Sequence, residues 1–223
     1  MLNPEPLLYP IPAPRRPWDA RLARRLVTPL IHSWVTPNHL TTLRLMVGLA
    51  AAAAFFPGSY VWSNFGGLLL ILSNFLDHTD GELARMSGKT SRFGHLYDLA
   101  SDAAVTILLF IAIGVGVAAK PGIDLGLLPA ILGLVAGTAI ALIFYLRMRI
   151  EELLGKAATQ QASFGGFETE DVLYLLPLAT LSNALAPMLL AASICAPLYA
   201  IWVVIDYQRV LRRDRRMATG VAG

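Results

Sequence analysis

Residues 74 to 102 read NFLDHTDGELARMSGKTSRFGHLYDLASD, and their four aspartates, Asp77, Asp80, Asp98 and Asp102, interrupt a chain that is otherwise apolar enough to live in a bilayer. A charged side chain within a span costs about 2.5 to 3.5 kcal/mol on insertion scales, so carboxylates kept there point to function. Asp77 and Asp80 are three apart, and Asp98 and Asp102 are four apart. Each pair therefore shares one helical face.

Working outward, hydrophobic residues make up 56% of the 223 residues and charged residues only 15%, and mean hydropathy is positive. Soluble domains do not have this composition. Apolar runs lie at about 40–57, 60–76, 99–119, 125–146, 172–186 and 188–206, near the ~20 residues a helix needs to cross the hydrocarbon. The expected fold is an all-α integral membrane protein with six transmembrane helices, the fifth and sixth separated by a turn at Asn183 to Pro187. Basic residues cluster at 15–25, 85–92, 147–156 and 209–216. Six spans put all four clusters on one side, so the positive-inside rule predicts cytoplasmic termini and a cytoplasmic Asp-rich loop.

Ahead of the spans, residues 17 to 35 place Leu22, Leu26, Leu30 and Ile31 on one side at helical spacing, and Arg21, Arg24 and Arg25 on the other. That pattern predicts an N-terminal amphipathic interfacial helix, with Trp18 and Trp34 at headgroup level. TPNHLT, residues 36 to 41, then turns the chain into the first span, with Thr36 or Asn38 as a helix cap and Pro37 as the break. The chain divides into an N-terminal segment (1–35), a six-helix transmembrane catalytic domain (36–210) and a basic cytoplasmic tail (211–223). The first 35 residues have no uninterrupted apolar core, so no cleavable signal peptide is expected. Cys195 is the single cysteine and reads as a packing residue. Nothing suggests a nucleic-acid partner.

The aspartate pairs end the second span and open the third. A short cytoplasmic connection is expected to make those helices neighbours, giving a ring of four carboxylates just below the membrane surface. Like charges this close need protons or cations. All-oxygen ligation without His or Cys favours Mg²⁺, Mn²⁺ or Ca²⁺, and one ion with a protonated carboxylate or two ions would each satisfy the charge. Two ions can clamp a phosphoryl group. Gly81 lies four after Asp77, and Ala84 four after Asp80, leaving a bare strip beside the acids. Arg85 can grip a phosphate bidentately. Gly94 is expected to end the loop and let the third span start close to the second, and Lys89 and Arg92 serve equally as topology signals.

Asp77, Asp80, Gly81, Ala84, Arg85, Gly94, Asp98 and Asp102 match the pattern D-x-x-D-G-x-x-A-R, eight residues, G-x-x-x-D-x-x-x-D. This resembles the signature of the CDP-alcohol phosphotransferase (CDP-alcohol phosphatidyltransferase) family. TPNHLT is similar to the Pro-Asn-x-x-Thr segment that opens the first span in many members. The resemblance implies metal-dependent transfer from a CDP-linked donor to an alcohol with release of CMP. It assigns Asp77, Asp80 and Asp98 as ligands of Mg²⁺ or Mn²⁺, two ions in all, and Asp102 as general base and further ligand. Gly81 and Ala84 would face the cytidine, Arg85 and Asn38 the phosphates. It further implies a homodimer in a bacterial inner membrane, with CDP-diacylglycerol as donor and a small alcohol as acceptor. Transfer of a phospho-alcohol from CDP-choline or CDP-ethanolamine to a lipid is the alternative within the family. A carboxylate-lined ion transporter, a structural cation site and a lipid phosphatase are the alternatives outside it. For the acceptor, Arg147, Arg149 and Lys156 suggest a phosphate, whereas Glu168, Glu170 and Asp171 would repel one and serve equally as a helix start.

Overall fold

The computed structural model of the chain describes residues 18–120, 122, 124–154 and 176–220. Among them every regular element is helical. After α1 (Trp18–Val27) and a 3₁₀ turn (Thr28–Leu30) come α2 (Pro37–Phe55), α3 (Tyr60–Ser87), α4 (Arg92–Ala118), α5 (Leu128–Leu154), α6 (Leu176–Leu181) and α7 (Leu185–Gly220). Helices α4, α5 and α7 are long and apolar enough to cross a membrane. Their outward faces carry exposed Leu108, Ile131, Leu134, Leu190, Ile194 and Ile201. Length, apolarity and greasy exteriors are those of an integral membrane protein.

The helix ends follow local chemistry. Pro37 occupies the first turn of α2, where its missing N–H costs nothing, and His39 Nδ1 accepts from the Thr36 backbone N–H (3.2 Å). Pro37 therefore starts the helix instead of breaking it, and Asn38 sits inside the helix, not at its cap. Helix α3 runs through both of its aspartates and stops at Gly88, whose φ of 68° is the left-handed conformation that glycine adopts freely. Ser91 caps α4 by accepting from the Gly94 N–H (2.9 Å). Gly94 thus lies in the first turn of α4, beyond the loop it was expected to end. The turn before α7 is carried by Asn183 (φ 54°), and Pro187 falls within α7. The expected interfacial helix is shorter than its pattern: α1 ends at Val27 and buries Ala23 and Val27, leaving Leu22 and Leu26 outward.

The helices pack in a closed ring, α2–α3–α6–α7–α5–α4 and back to α2. One apolar cluster, including Phe55, Leu70, Leu109, Ile113 and Leu189, joins α2, α3, α4 and α7, and a second, including Ile143, Leu146 and Val203, joins α5 to α7. Against the expectation for the Asp-rich hairpin, α3 and α4 are not packed along each other. Both lie against α2 instead. Helix α2 supplies partners to the aspartates of both, Arg44 to Asp77, Asp98 and Asp102 and Thr41 to Asp80.

With no water between helices in a bilayer, close approach at small residues holds them together. On α4, a Cβ at Gly114 would collide with the Pro129 carbonyl of α5; on α5, one at Gly133 would collide with the Phe110 carbonyl of α4. We expect Gly133→Leu to force α4 and α5 apart and to destabilise the protein by about 1–3 kcal/mol or more, as overpacking does. Thermal unfolding of the purified variant in detergent checks this.

Candidate active site at the carboxylate cluster

The site forms where the ends of α3 and α4 face each other across α2. One ligand oxygen each from Asp77, Asp98 and Asp102 lies within 4.8 Å of the others, an arrangement that could hold a metal ion. Among them stands Arg44 of α2. Its Nη1 is 2.7 Å from Oδ1 of both Asp77 and Asp98, and its Nη2 pairs with Oδ1 of Asp102. The Arg44 side chain is only 11% exposed. Its backbone carbonyl accepts from Ser73 Oγ of α3 (3.2 Å), which ties its helix to the site.

Asp80 stands apart from this trio. It is buried at 5% exposure, and its Oδ2 accepts from Thr41 Oγ1 of α2 at 2.8 Å. Helix α2 thus supplies a partner to all four aspartates, Thr41 to one and Arg44 to three. Neither partner was anticipated. Arg44 could have been found by the rule that exposed the aspartates, because it is a lone charge inside the first apolar run. Thr41 is the threonine of the Pro-Asn-x-x-Thr segment, which marked its position but not its role.

The remaining motif residues gather round the same end. A Cβ on Gly94 would lie 2.7 Å from Asn38 Oδ1, so the glycine admits α2, and in particular Asn38, to the start of α4. The close approach predicted for Gly94 is real, but it is made to α2. Arg85 is 63% exposed, donates to Glu82 Oε1 (2.9 Å) and lies over the bare face of Gly81, where a Cβ would be 3.6 Å from its Nη2. Ala84 is half-buried on the same helix. Lys89 donates to the carbonyls of Ser33 and Val35 (3.0 and 3.3 Å), a structural tie between the loop and the chain ahead of α2.

Between α3 and α4, a cleft of about 460 Å³ runs from Arg44, Asp77 and Asp102 to Phe144, Tyr145 and Met148 of α5. Its walls are mainly apolar, with Ser73, Asn74, His78 and Thr106 as polar points. Such a space suits a molecule with a charged head and a greasy remainder. The basic residues expected at an acceptor pocket are engaged. Arg147 donates to Tyr199 Oη (2.5 Å) and stacks over the rings of Tyr199 and Trp202 at 5.8 and 5.4 Å, and Arg149 pairs with Glu152. Lys156, Glu168, Glu170 and Asp171 lie outside the described residues.

The sequence matches the CDP-alcohol phosphatidyltransferase family over residues 34–207. The chain belongs to that family. It is 34% identical over 101 residues to an archaetidylinositol phosphate synthase of Pyrococcus horikoshii, a match covering 44% of this chain and 52% of the relative. It is also 34% identical over 82 residues to a CDP-diacylglycerol–glycerol-3-phosphate 3-phosphatidyltransferase of Cereibacter sphaeroides, covering 36% and 37% of the two chains. The matches thus span about half or less of these relatives. A crystal structure of Mycobacterium tuberculosis phosphatidylinositol phosphate synthase with CDP-DAG bound is similar with a TM-score of 0.56 at 25% identity, covering 87% of this chain and 94% of that one.

Removing the Thr41 hydroxyl would leave a buried carboxylate short of a donor, which costs about 1–3 kcal/mol or more for a charged group. Thr41→Val is therefore expected to lower the unfolding midpoint, whereas Thr41→Ser should keep most of the stability. Thermal unfolding of the two variants side by side checks this.

Proposed function

We propose that this protein transfers a phosphatidyl group from CDP-diacylglycerol to a small alcohol and releases CMP. The single observation that carries this reading is the junction of a carboxylate cluster with a largely apolar cleft at one end of the bundle. Through the cations it would hold, the cluster suits the diphosphate, and the cleft suits the glycerolipid. The similarity to a solved relative holding CDP-DAG supports the same donor.

The donor set fits a hard divalent cation: carboxylate oxygens only, converging within 4.8 Å, with no His or Cys among them. Asp77, Asp80 and Asp98 are the proposed ligands of Mg²⁺ or Mn²⁺, two ions in all, with Asp102 as a further ligand. Bound there, the metal would neutralise the diphosphate and stabilise the departing CMP. Asn38 and Arg85 would hold phosphate oxygens, and Gly81 and Ala84 would leave room for the cytidine. Reaching it requires the Arg85 guanidinium to swing off Gly81, which its exposure permits.

Asp102 borders the cleft and is the proposed general base. The acceptor hydroxyl oxygen bonds to the phosphatidyl phosphorus while its proton passes to the Asp102 carboxylate. The bond from that phosphorus to the bridging oxygen breaks, and the oxygen leaves with the electron pair as part of CMP.

The proposed setting is a bacterial inner membrane. There α2, α3 and the segment ending in α6 would join α4, α5 and α7 as six spans, with α1 at the interface, the site and both termini cytoplasmic, and two copies forming a homodimer. The positive-inside distribution supports the orientation. A reporter fused after Gly223 should read as cytoplasmic; a periplasmic signal would overturn the topology.

Incubating purified protein with a panel of CDP-donors and alcohols, and following CMP and lipid product, tests the reaction. CDP-diacylglycerol should support CMP release that a chelator abolishes and Mg²⁺ or Mn²⁺ restores. Turnover with CDP-choline or CDP-ethanolamine and a lipid acceptor instead would favour the reverse division of substrates. Asp102→Asn should lower transfer by about 10² to 10⁴ while changing CDP-donor affinity far less. Near-normal turnover would remove Asp102 from the base role, and lost donor binding would make it chiefly a ligand.

A further inference from the structure

We propose that the Arg44 guanidinium occupies the place a divalent cation takes among Asp77, Asp98 and Asp102, so that Arg44 and the metal compete for one set of carboxylates. This rests on the reading of those aspartates as metal ligands. The guanidinium meets one Oδ1 from each of the three residues, two through Nη1 and one through Nη2. The three residues' ligand atoms lie within 4.8 Å of one another. Mg²⁺ holds its oxygens at about 2.0–2.1 Å and accepts little distortion. A guanidinium already paired with the same carboxylates, and hydrogen-bonded to Asp98, leaves it no such shell.

Arg44 yields the carboxylates by moving. The means is present: its main chain is tied to Ser73, but its side chain borders the cleft between α3 and α4, so the guanidinium can leave the carboxylates without displacing α2. Before loading, Arg44 offsets one of three negative charges and keeps the trio from splaying apart under its own repulsion. Loading then exchanges a single positive charge for a double one, and sets a guanidinium free at the wall of the cleft, where the phosphates of an anionic donor could accept from it. A residue that merely braced the ligands would have the opposite signature, since its loss would disorder the site and weaken metal binding.

The test titrates Mn²⁺ alone, without nucleotide or lipid, into the purified full-length protein in detergent, with free Mn²⁺ read by electron paramagnetic resonance. For Arg44→Gln the Mn²⁺ Kd should fall by about tenfold or more relative to wild type. Arg44→Lys should lie between them, because one ammonium cannot span the two-nitrogen contact. Metal-free Arg44→Gln should unfold at a lower temperature than wild type, and Mn²⁺ should raise its midpoint by more. Unchanged or weaker Mn²⁺ binding in folded Arg44→Gln overturns the competition and leaves Arg44 a brace. If that variant fails to fold, Arg44→Lys decides: tighter binding than wild type supports the exchange, and equal or weaker binding overturns it. Wild-type protein that binds no Mn²⁺, indistinguishable from Asp98→Asn, would remove the metal reading itself and this inference with it.

Discussion

Four carboxylates on two helices need partners, and the helix that supplies them, α2, organises the site end of this bundle. Asp77 and Asp80 on α3 face Asp98 and Asp102 on α4 with no direct helix-to-helix seam between them. Helix α2 stands against both and answers each charge: Arg44 pairs with three of the aspartates, and Thr41 donates to the fourth. Unpaired, charges in such a place would be costly. The space between α3 and α4 beside the carboxylates is not filled by side chains. It remains as the cleft that reaches from the carboxylates to α5.

Local spacing made much of this readable in advance. The offsets within each aspartate pair put both members on one helical face whatever the tertiary fold, and Gly81, Ala84 and Gly94 could be recognised as deliberate absences of side chain. The composition and the apolar runs pointed to an all-helical membrane protein, and α4, α5 and α7 overlap the expected runs, α4 starting earlier and α5 and α7 extending further. The identity of the helix that stands between α3 and α4 was not readable, because it depends on pairings between segments distant in sequence. Gly94 shows the difference well. Its spacing marked it for close approach, but only the fold reveals the partner as Asn38 of α2 instead of the preceding helix. Arg44 belongs to none of the basic clusters, and a single arginine in an apolar run is the stronger sign.

The two ends of the bundle are held by different physics. Away from the carboxylates, α4 and α5 meet backbone to backbone at Gly114 and Gly133, Lys120 Nζ donates to Asn183 Oδ1 (2.8 Å), and Tyr60 Oη donates to the Leu181 carbonyl (3.2 Å). The glycine-to-carbonyl contacts fix the separation of α4 and α5. Toward the carboxylates, contact passes to long side chains: Arg44 between α2 and the aspartates, His95 to Glu152 between α4 and α5 (3.5 Å), and Arg147 against Tyr199 and Trp202 between α5 and α7.

Long charged side chains can exchange partners without moving the helices that carry them, whereas glycine-to-carbonyl seams cannot loosen without separating the backbones. Binding and release at the open end therefore need not disturb the packed end. On the proposed reaction the site would admit an ion, a nucleotide diphosphate and a lipid, and the four aspartates lie at the end of the bundle where contact passes to long side chains. Their negative charge would draw the cations that an anionic diphosphate needs as counter-charge.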